Sequence, residues 1–379
     1  MALHDVRAVC ADVAQDAGIR VDEERIRAFL QSLTQDAFEP RKTQHGLRFP
    51  LAFASVEDEV NLVAVLALLN AFSGYRIDFH KATGHGAYDN VRRMILGLYL
   101  SVDGDAASLS AESLAHVTPA MLAQLLGVPT HTEAPHPTLP MVTVGTQGGP
   151  LKEPLELAAS MCRDTGAFLL KRHIPSLGAY VLQACEAAAA TDDADAAFLA
   201  ALTEVPAFDD TFVDRGRRVH LWKKAYFLLH AVRGLLERSA LPAALAHLRT
   251  YYAGHAPAPL PMFVDNVVPT MLATLRILSF ADCTEPALRD WKPEPQEGGA
   301  SDVQGPCLSR DAAYRVRAAA LAAGAQVVEV AHDMARASPD KAWLATMTEE
   351  QLDAYLWSRA KDPDLRCVPR LCERGTAMY

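Results

Sequence analysis

Apolar residues recur at three- and four-residue intervals through most of the chain, and that period confines the possible folds to packed α-helices, each with one stripe turned toward a core. The runs "VDEERIRAFLQSL" (21–33), "EVNLVAVLALLNAF" (59–72), "YDNVRRMILGLYLS" (88–101) and "ESLAHVTPAMLAQLLG" (112–127) show it first. It continues in "PLELAASMCRDTGAFLL" (154–170), "AFLAALTEV" (197–205), "RRVHLWKKAYFLLHAVRGLLERS" (217–239), "PTMLATLRIL" (269–278), the long 309–337 run and "TEEQLDAYLWSRA" (348–360). Ser110, Ser309 and Thr348 stand ahead of three runs with acids just behind them, as helix N-caps do. Strand signals are few. Residues 139–146 and 46–56 read as short strands or extended loops, and the alternation in "YRIDFHKATGHG" (75–86) suggests a hairpin. Residues 129–140, 188–196 and 291–306 read as loops. The spacing therefore predicts a mainly α-helical fold, a single helical domain over 1–379 with an N-terminal helical extension (about 1–45) and a mobile loop at 291–306.

The longest apolar stretch, "LVAVLALLNAF" (62–72), is too short to span a bilayer, and the N-terminus mixes acids with its apolar residues as no signal or transit sequence does. A net charge of −10 argues against direct nucleic-acid binding, although a local basic cluster remains compatible with a small anion. The seven cysteines are scattered without a CxxC pair, which fits reduced thiols rather than a disulfide framework or zinc ribbon. A soluble, cytoplasmic protein acting on a small molecule, with neither a membrane nor a nucleic acid as partner, is the expectation.

No GxGxxG, GxxxxGK[ST], HExxH or GxSxG motif occurs. The dipeptide His332-Asp333 is of the kind metal phosphohydrolases use, but it needs further His and Asp ligands on neighbouring helices, and no pattern in the sequence recruits His85, His220 or His230 to join it. The segment "FDDTFVDRGRRVHLWKKAYFLLHAV" (208–232) is richer. It holds Arg215, Arg217, Arg218, Lys223 and Lys224 beside Trp222, Tyr226 and Phe227, and then becomes apolar nearly all round. A lysine on such a helix either snorkels to solvent or meets a buried anion, for which Asp210, Asp265 or a bound phosphate would serve. Asp265 lies alone in the apolar run "PMFVDNVVPTML" (261–272). With Pro269 in the first turn of the helix that follows, Asp265 or Asn266 is suited to cap it. A carboxylate at a helix start is also held ionised by unpaired N–H groups, and so is suited to oppose positive charge developing on a ribose ring.

At these residues the sequence resembles the queuosine salvage family, the queuosine 5′-phosphate N-glycosylases. "FDDTFVDRGRRVHLWKKA", "MFVDNVVPTMLATLRIL", "LDAYLWSRAKD" and "RGTAMY" resemble four blocks of that family in the right order, with weaker likeness in "LALLNAFSG" and "EPLELAASMCRDTGAFLL". The resemblance implies a helical fold similar to that of DNA glycosylases. It implies Asp265 as catalytic carboxylate with Lys223 beside it, and Asp210, Phe263, Asn70, Trp222, Arg374 and Tyr379 as substrate-binding residues; Asp353 and Trp357 match further motif positions. The sequence departs from the family pattern at three places. Ala67 replaces an acid, Gly74 replaces a tryptophan, and Val267 replaces an arginine.

The activity so implied is hydrolysis of the N-glycosidic bond of queuosine 5′-phosphate or a related 7-deazaguanine nucleotide, releasing the base for tRNA modification, with no cofactor or metal. Two other readings stand beside it: a non-catalytic nucleobase- or nucleotide-binding protein on the same scaffold, suggested by the missing aromatic residue, and an HD-type metal phosphohydrolase.

Overall fold

Ser110, Ser309 and Thr348 each cap a helix, accepting the backbone N–H three residues on, and Thr348 and Gln351 complete a reciprocal capping box. The computed structural model describes residues 3–43, 45, 49, 51–101, 109–238, 259–295 and 303–379. Within them the fold is mainly α-helical, as the spacing predicts, and the described strands are short and pair only two by two.

Several runs resolve differently from their spacing. The 112–127 run divides into Ala111–Ala115 and Pro119–Leu126, because Thr118 caps a new helix with Pro119 in its first turn. The 217–239 run begins as a strand: Arg217–His220 pairs with Thr211–Asp214 across a two-residue turn, Arg215-Gly216, both at positive φ (48° and 80°). The helix starts only at Lys223. Residues 75–86 do not form a hairpin. Arg76–Thr83 is a helix closed by Gly84 in the left-handed conformation (φ 74°), so the glycines there stop a helix rather than turn a strand. A helix at Leu177–Ala189, absent from the runs above, is capped by Ser176. The supposed loop at 188–196 shrinks to the few residues before Ala194–Leu202.

Of the supposed loop at 129–140, His131–Pro135 is a strand that pairs with Thr143–Gln147 in an exposed hairpin. The suggested strand at 46–56 lies partly outside the described residues, and Val56 already begins a helix. Residues 296–302 of the 291–306 loop also lie outside them, while Gln304–Cys307 forms a strand parallel to Arg370–Cys372.

Two apolar clusters make the core. One surrounds the Val56–Leu69 helix, buried from Val60 to Leu69, against which Leu177–Ala189 and Lys223–Arg238 pack. The other surrounds Arg310–Ala337, against which Val267–Thr274, Glu349–Arg359 and the N-terminal Leu3–Asp16 helix pack. Val6, Cys10 and Val13 of that N-terminal helix are fully buried in the second cluster. No single described helix is long and apolar enough to cross a membrane.

Helices approach closely where glycine permits. A Cβ on Gly178 would lie 2.6 Å from Asn61 Cβ and 2.7 Å from the Glu57 carbonyl oxygen. Asn61 in turn spans the contact, accepting from the Gly178 N–H (3.0 Å) and donating to the Leu109 carbonyl (3.0 Å). Gly178→Ala is expected to cost about 2 kcal/mol through this overpacking, measured as a fall in urea unfolding free energy.

Candidate active site

The extended segment 260–266 runs between the two clusters. Leu260 and Phe263 belong to the first, Met262 and Val264 to the second. That alternation carries Asp265 to the seam, at the entrance of the Val267–Thr274 helix. Asp265 Oδ1 accepts the Val267 N–H at 2.6 Å. Asn266 occupies the cap position but makes no side-chain cap; its amide donates to the Leu371 and Ser73 carbonyls (2.8 and 3.3 Å). Asp265 Oδ2 lies 4.0 Å from Lys223 Nζ. One carboxylate thus secures a helix start with one oxygen and faces an ammonium with the other.

Lys223 does not snorkel. It is buried, and Nζ donates to the carbonyl and side-chain oxygens of Asn70 (2.8 and 3.2 Å), just past the end of the Val56–Leu69 helix. Burial lowers its pKa, and the Asp265 charge opposes that shift. Lys224 is buried too and donates to the carbonyls of Leu68 (3.2 Å) and Ala377 (2.7 Å); burial brings its pKa down to about 7. Both ammoniums thus meet the carbonyl-rich, negative end of one helix.

Lys223 and Asp265 line a cavity of about 220 Å3. This is somewhat smaller than the roughly 300–1,000 Å3 of pockets that enclose drug-sized ligands. Tyr88 and Trp357 give it aromatic wall, meeting edge to face at 5.4 Å. Arg76, Lys361, Arg366 and Arg370 line it as well. Burial pushes Arg370 down to about 10, helped by the charges of Arg76 and Arg366 and opposed by Asp265. Burial likewise pushes Lys361, whose ammonium sits over the Trp357 ring, down to about 8. Cations crowded so that their charge is disfavoured are stabilised by an arriving anion.

Of the other residues singled out in the sequence, Asn70 lines the cavity, and Phe263 lines a small chamber that shares Asn70, Lys223 and Asp265 with it. Asp210, Trp222, Arg374 and Tyr379 are absent from both linings. Asp210 is buried in a bidentate pair with Arg317, whose Nε–H donates to the Val264 carbonyl (3.0 Å). Trp222, at φ 45°, packs against His220 and Tyr226. Arg374 pairs with Asp78, and the buried Tyr379 ring lies under the Arg317 guanidinium, 4.5 Å away. Arg215 and Arg217 pair with Asp16 outside the cavity, so the basic cluster visible at 215–218 is not the one that faces a ligand.

The His332 imidazole meets the Met347 carbonyl (2.9 Å), and Asp333 pairs with Arg336. Among the described residues no three His, Cys, Asp or Glu side chains converge as a metal site, so His332 and Asp333 lack the ligand set a phosphohydrolase needs.

Sequence reasoning missed the cations at 76, 361, 366 and 370 and the aromatic Tyr88. The 361–370 stretch was legible as three basic residues after the Asp-x-x-Leu-Trp block, and Arg76 and Tyr88 had no distinguishing signal. At the three departures, Ala67 is buried within its helix and Val267 lines the cavity. Gly74 is required where it stands, because a Cβ there would lie 2.1 Å from the Glu373 carbonyl oxygen.

The family model described as "Queuosine salvage protein" matches residues 75–373, well over half of the chain. No curated protein matches the sequence. The matched span includes Lys223, Asp265 and all four cavity cations, while Asn70 precedes it.

The small chamber that Phe263 lines is also lined by His45, whose pKa burial lowers from 6.5 to about 3. Between those values the unfolded chain takes up a proton that the folded one refuses, so stability falls as pH drops below 6.5, by about 1.4 kcal/mol per pH unit for this group. His45→Phe keeps a ring and removes the titration. Urea unfolding of both proteins should show the wild type losing stability relative to the variant with that slope; a pH-independent difference contradicts the assignment.

Proposed function

Because the chain belongs to the queuosine salvage protein family, we propose that it hydrolyses the N-glycosidic bond of queuosine 5′-phosphate, or of a closely related 7-deazaguanine nucleotide, and releases the free base in the cytoplasm for tRNA modification. The observation that carries this reading is the carboxylate of Asp265, fixed by the Val267 N–H and facing Lys223 at 4.0 Å, in a cavity also lined by Arg76, Lys361, Arg366 and Arg370.

A 7-deazapurine has carbon in place of N7, so the usual site for protonating a departing purine is missing. Rate acceleration must then come from the ribose side. Asp265 opposes the positive charge that develops at the anomeric carbon, and its preset orientation spares reorganisation as the bond breaks. It also takes a proton from the attacking water. Lys223 keeps Asp265 aligned. Arg76, Lys361, Arg366 and Arg370 supply the 5′-phosphate contact, in place of the 215–218 arginines. Trp357 and Tyr88 supply apolar surface for the base where the family pattern has a tryptophan at position 74.

Val267 and Gly74 favour a second reading, a protein that binds the nucleobase or nucleotide without cleaving it. Incubation with queuosine 5′-phosphate followed by mass spectrometry separates the two, since only hydrolysis gives free queuine. Asp265→Asn is expected to lower base release about 1,000-fold with an unchanged thermal midpoint; near-normal turnover in that variant sinks the assignment. Removing the 5′-phosphate from the substrate is expected to lower kcat/KM about 100-fold in the wild type, the loss of one or two charge-assisted contacts. Arg370→Ala should lower activity on the nucleotide and narrow that ratio. Equal kcat/KM for nucleoside and nucleotide contradicts the phosphate assignment.

A further inference from the structure

A smaller chamber of about 30 Å3 shares Lys223 and Asp265 with the cavity and adds His45, Phe227, Phe263 and Asp353 to its wall. Roughly 10–15 Å3 suffices for one water, provided polar partners converge on it. They do. Asp353 is buried on the Glu349–Arg359 helix, and its Oδ1 accepts the Phe263 N–H at 3.0 Å. Its Oδ2 lies 3.8 Å from His45 Nε2. The His45 imidazole is buried, held by the Glu350 backbone and packed edge-on against His230 (4.7 Å), and its Nε2 has no hydrogen-bond partner. A separation of 3.8 Å is too long for a direct hydrogen bond and is the kind of gap that a bridging water closes.

We infer that His45 and Asp353 hold the attacking water of the glycosidic hydrolysis in this chamber, where it adjoins the larger cavity along Asp265. The inference rests on the hydrolase reading above. Burial and the neighbouring Asp265 charge raise the Asp353 pKa well above the ordinary carboxyl value and so favour its protonated form, while burial favours neutral His45, whose Nε2 has no hydrogen-bond partner. The water donates one hydrogen bond to the Asp265 carboxylate and one to His45 Nε2, and accepts one from the Asp353 O–H. One lone pair is left to attack.

As that lone pair forms the O–C1′ bond, the C1′–N bond breaks and its electron pair leaves with the base. The water proton passes to Asp265 and then to the departing nitrogen, so the net change is addition of one water across the bond. This assigns separate duties to the two buried acids, Asp265 as charged acceptor and Asp353 as neutral donor. It also gives a role to His45, which precedes the family-matched span.

The test measures queuosine 5′-phosphate hydrolysis by the full-length wild type, His45→Phe and Asp353→Asn, with thermal midpoints as a folding control. Asp353→Asn keeps an oxygen for the Phe263 N–H and His45→Phe keeps the ring packing, so both variants are expected to fold. The expected result is a fall in kcat of about 100-fold in each with KM within about twofold, because the water and not the nucleotide loses its seat. A third variant, Asp353→Ala, enlarges the chamber. In the presence of methanol it should yield some methyl riboside 5-phosphate, whereas the wild type yields ribose 5-phosphate alone. Unchanged kcat in both isosteric variants, or a loss confined to KM, overturns the chamber's role while leaving the hydrolase reading intact. No base release by the wild type overturns both.

Discussion

Two neighbouring ammonium groups, Lys223 and Lys224, are buried at the start of one helix, and the site is organised around meeting their charge. Each would be costly to bury alone, so the surroundings must supply oxygen atoms. The end of the Val56–Leu69 helix supplies Leu68 and Asn70, the C-terminal segment supplies Ala377, Asp265 faces Lys223 at 4.0 Å, and the Asp210 charge favours Lys224. These contacts tie the first apolar cluster to the second at the place where the cavity opens. A second buried charge pair, Asp210 with Arg317, joins the same two regions, and Arg317 also holds the Val264 carbonyl one residue before Asp265. Charge satisfaction, more than apolar contact, therefore fixes where the carboxylate sits.

Much of the helical framework was legible in the sequence because its signals are local. Ser110, Ser309 and Thr348 announce helix starts by their own chemistry, and three- and four-residue spacing reports which side is buried. The misreadings also have local causes. Ile77, Asp78, Phe79 and His80 alternate apolar with polar as a strand does, yet Ile77 and Phe79 are buried from within a short helix. The Arg215-Gly216 turn is two residues long and lies inside a run of otherwise helical periodicity, where spacing alone gives no warning of it. Of the site, the pairing of Asp265 with Lys223 was anticipated from residue types and family likeness. The four cavity cations were not, because Arg76 and the 361–370 residues come together only through tertiary packing. The conspicuous 215–218 cluster misled for the opposite reason: Arg215 and Arg217 are matched by Asp16, a partner about two hundred positions earlier in the chain.

The Asp265 geometry lets one carboxylate secure a helix start and face a buried ammonium at the same time. An oxygen bonded to the Val267 N–H cannot swing freely, so the second oxygen keeps a fixed direction. Orientation that a ligand-binding group would otherwise surrender entropy to achieve is set during folding. The same economy applies to Asn266, whose amide leaves the cap position free to bind the Leu371 and Ser73 carbonyls and so joins the helix to the strand that carries Arg370.

The close approach of Gly74 to the Glu373 carbonyl makes two distant stretches of chain interdependent. A side chain at 74 would need space already held by main chain at 373. An aromatic residue there therefore requires the segment around Glu373, which adjoins Arg370, to shift as well. The residue at 74 and the backbone path at 373 change together or not at all.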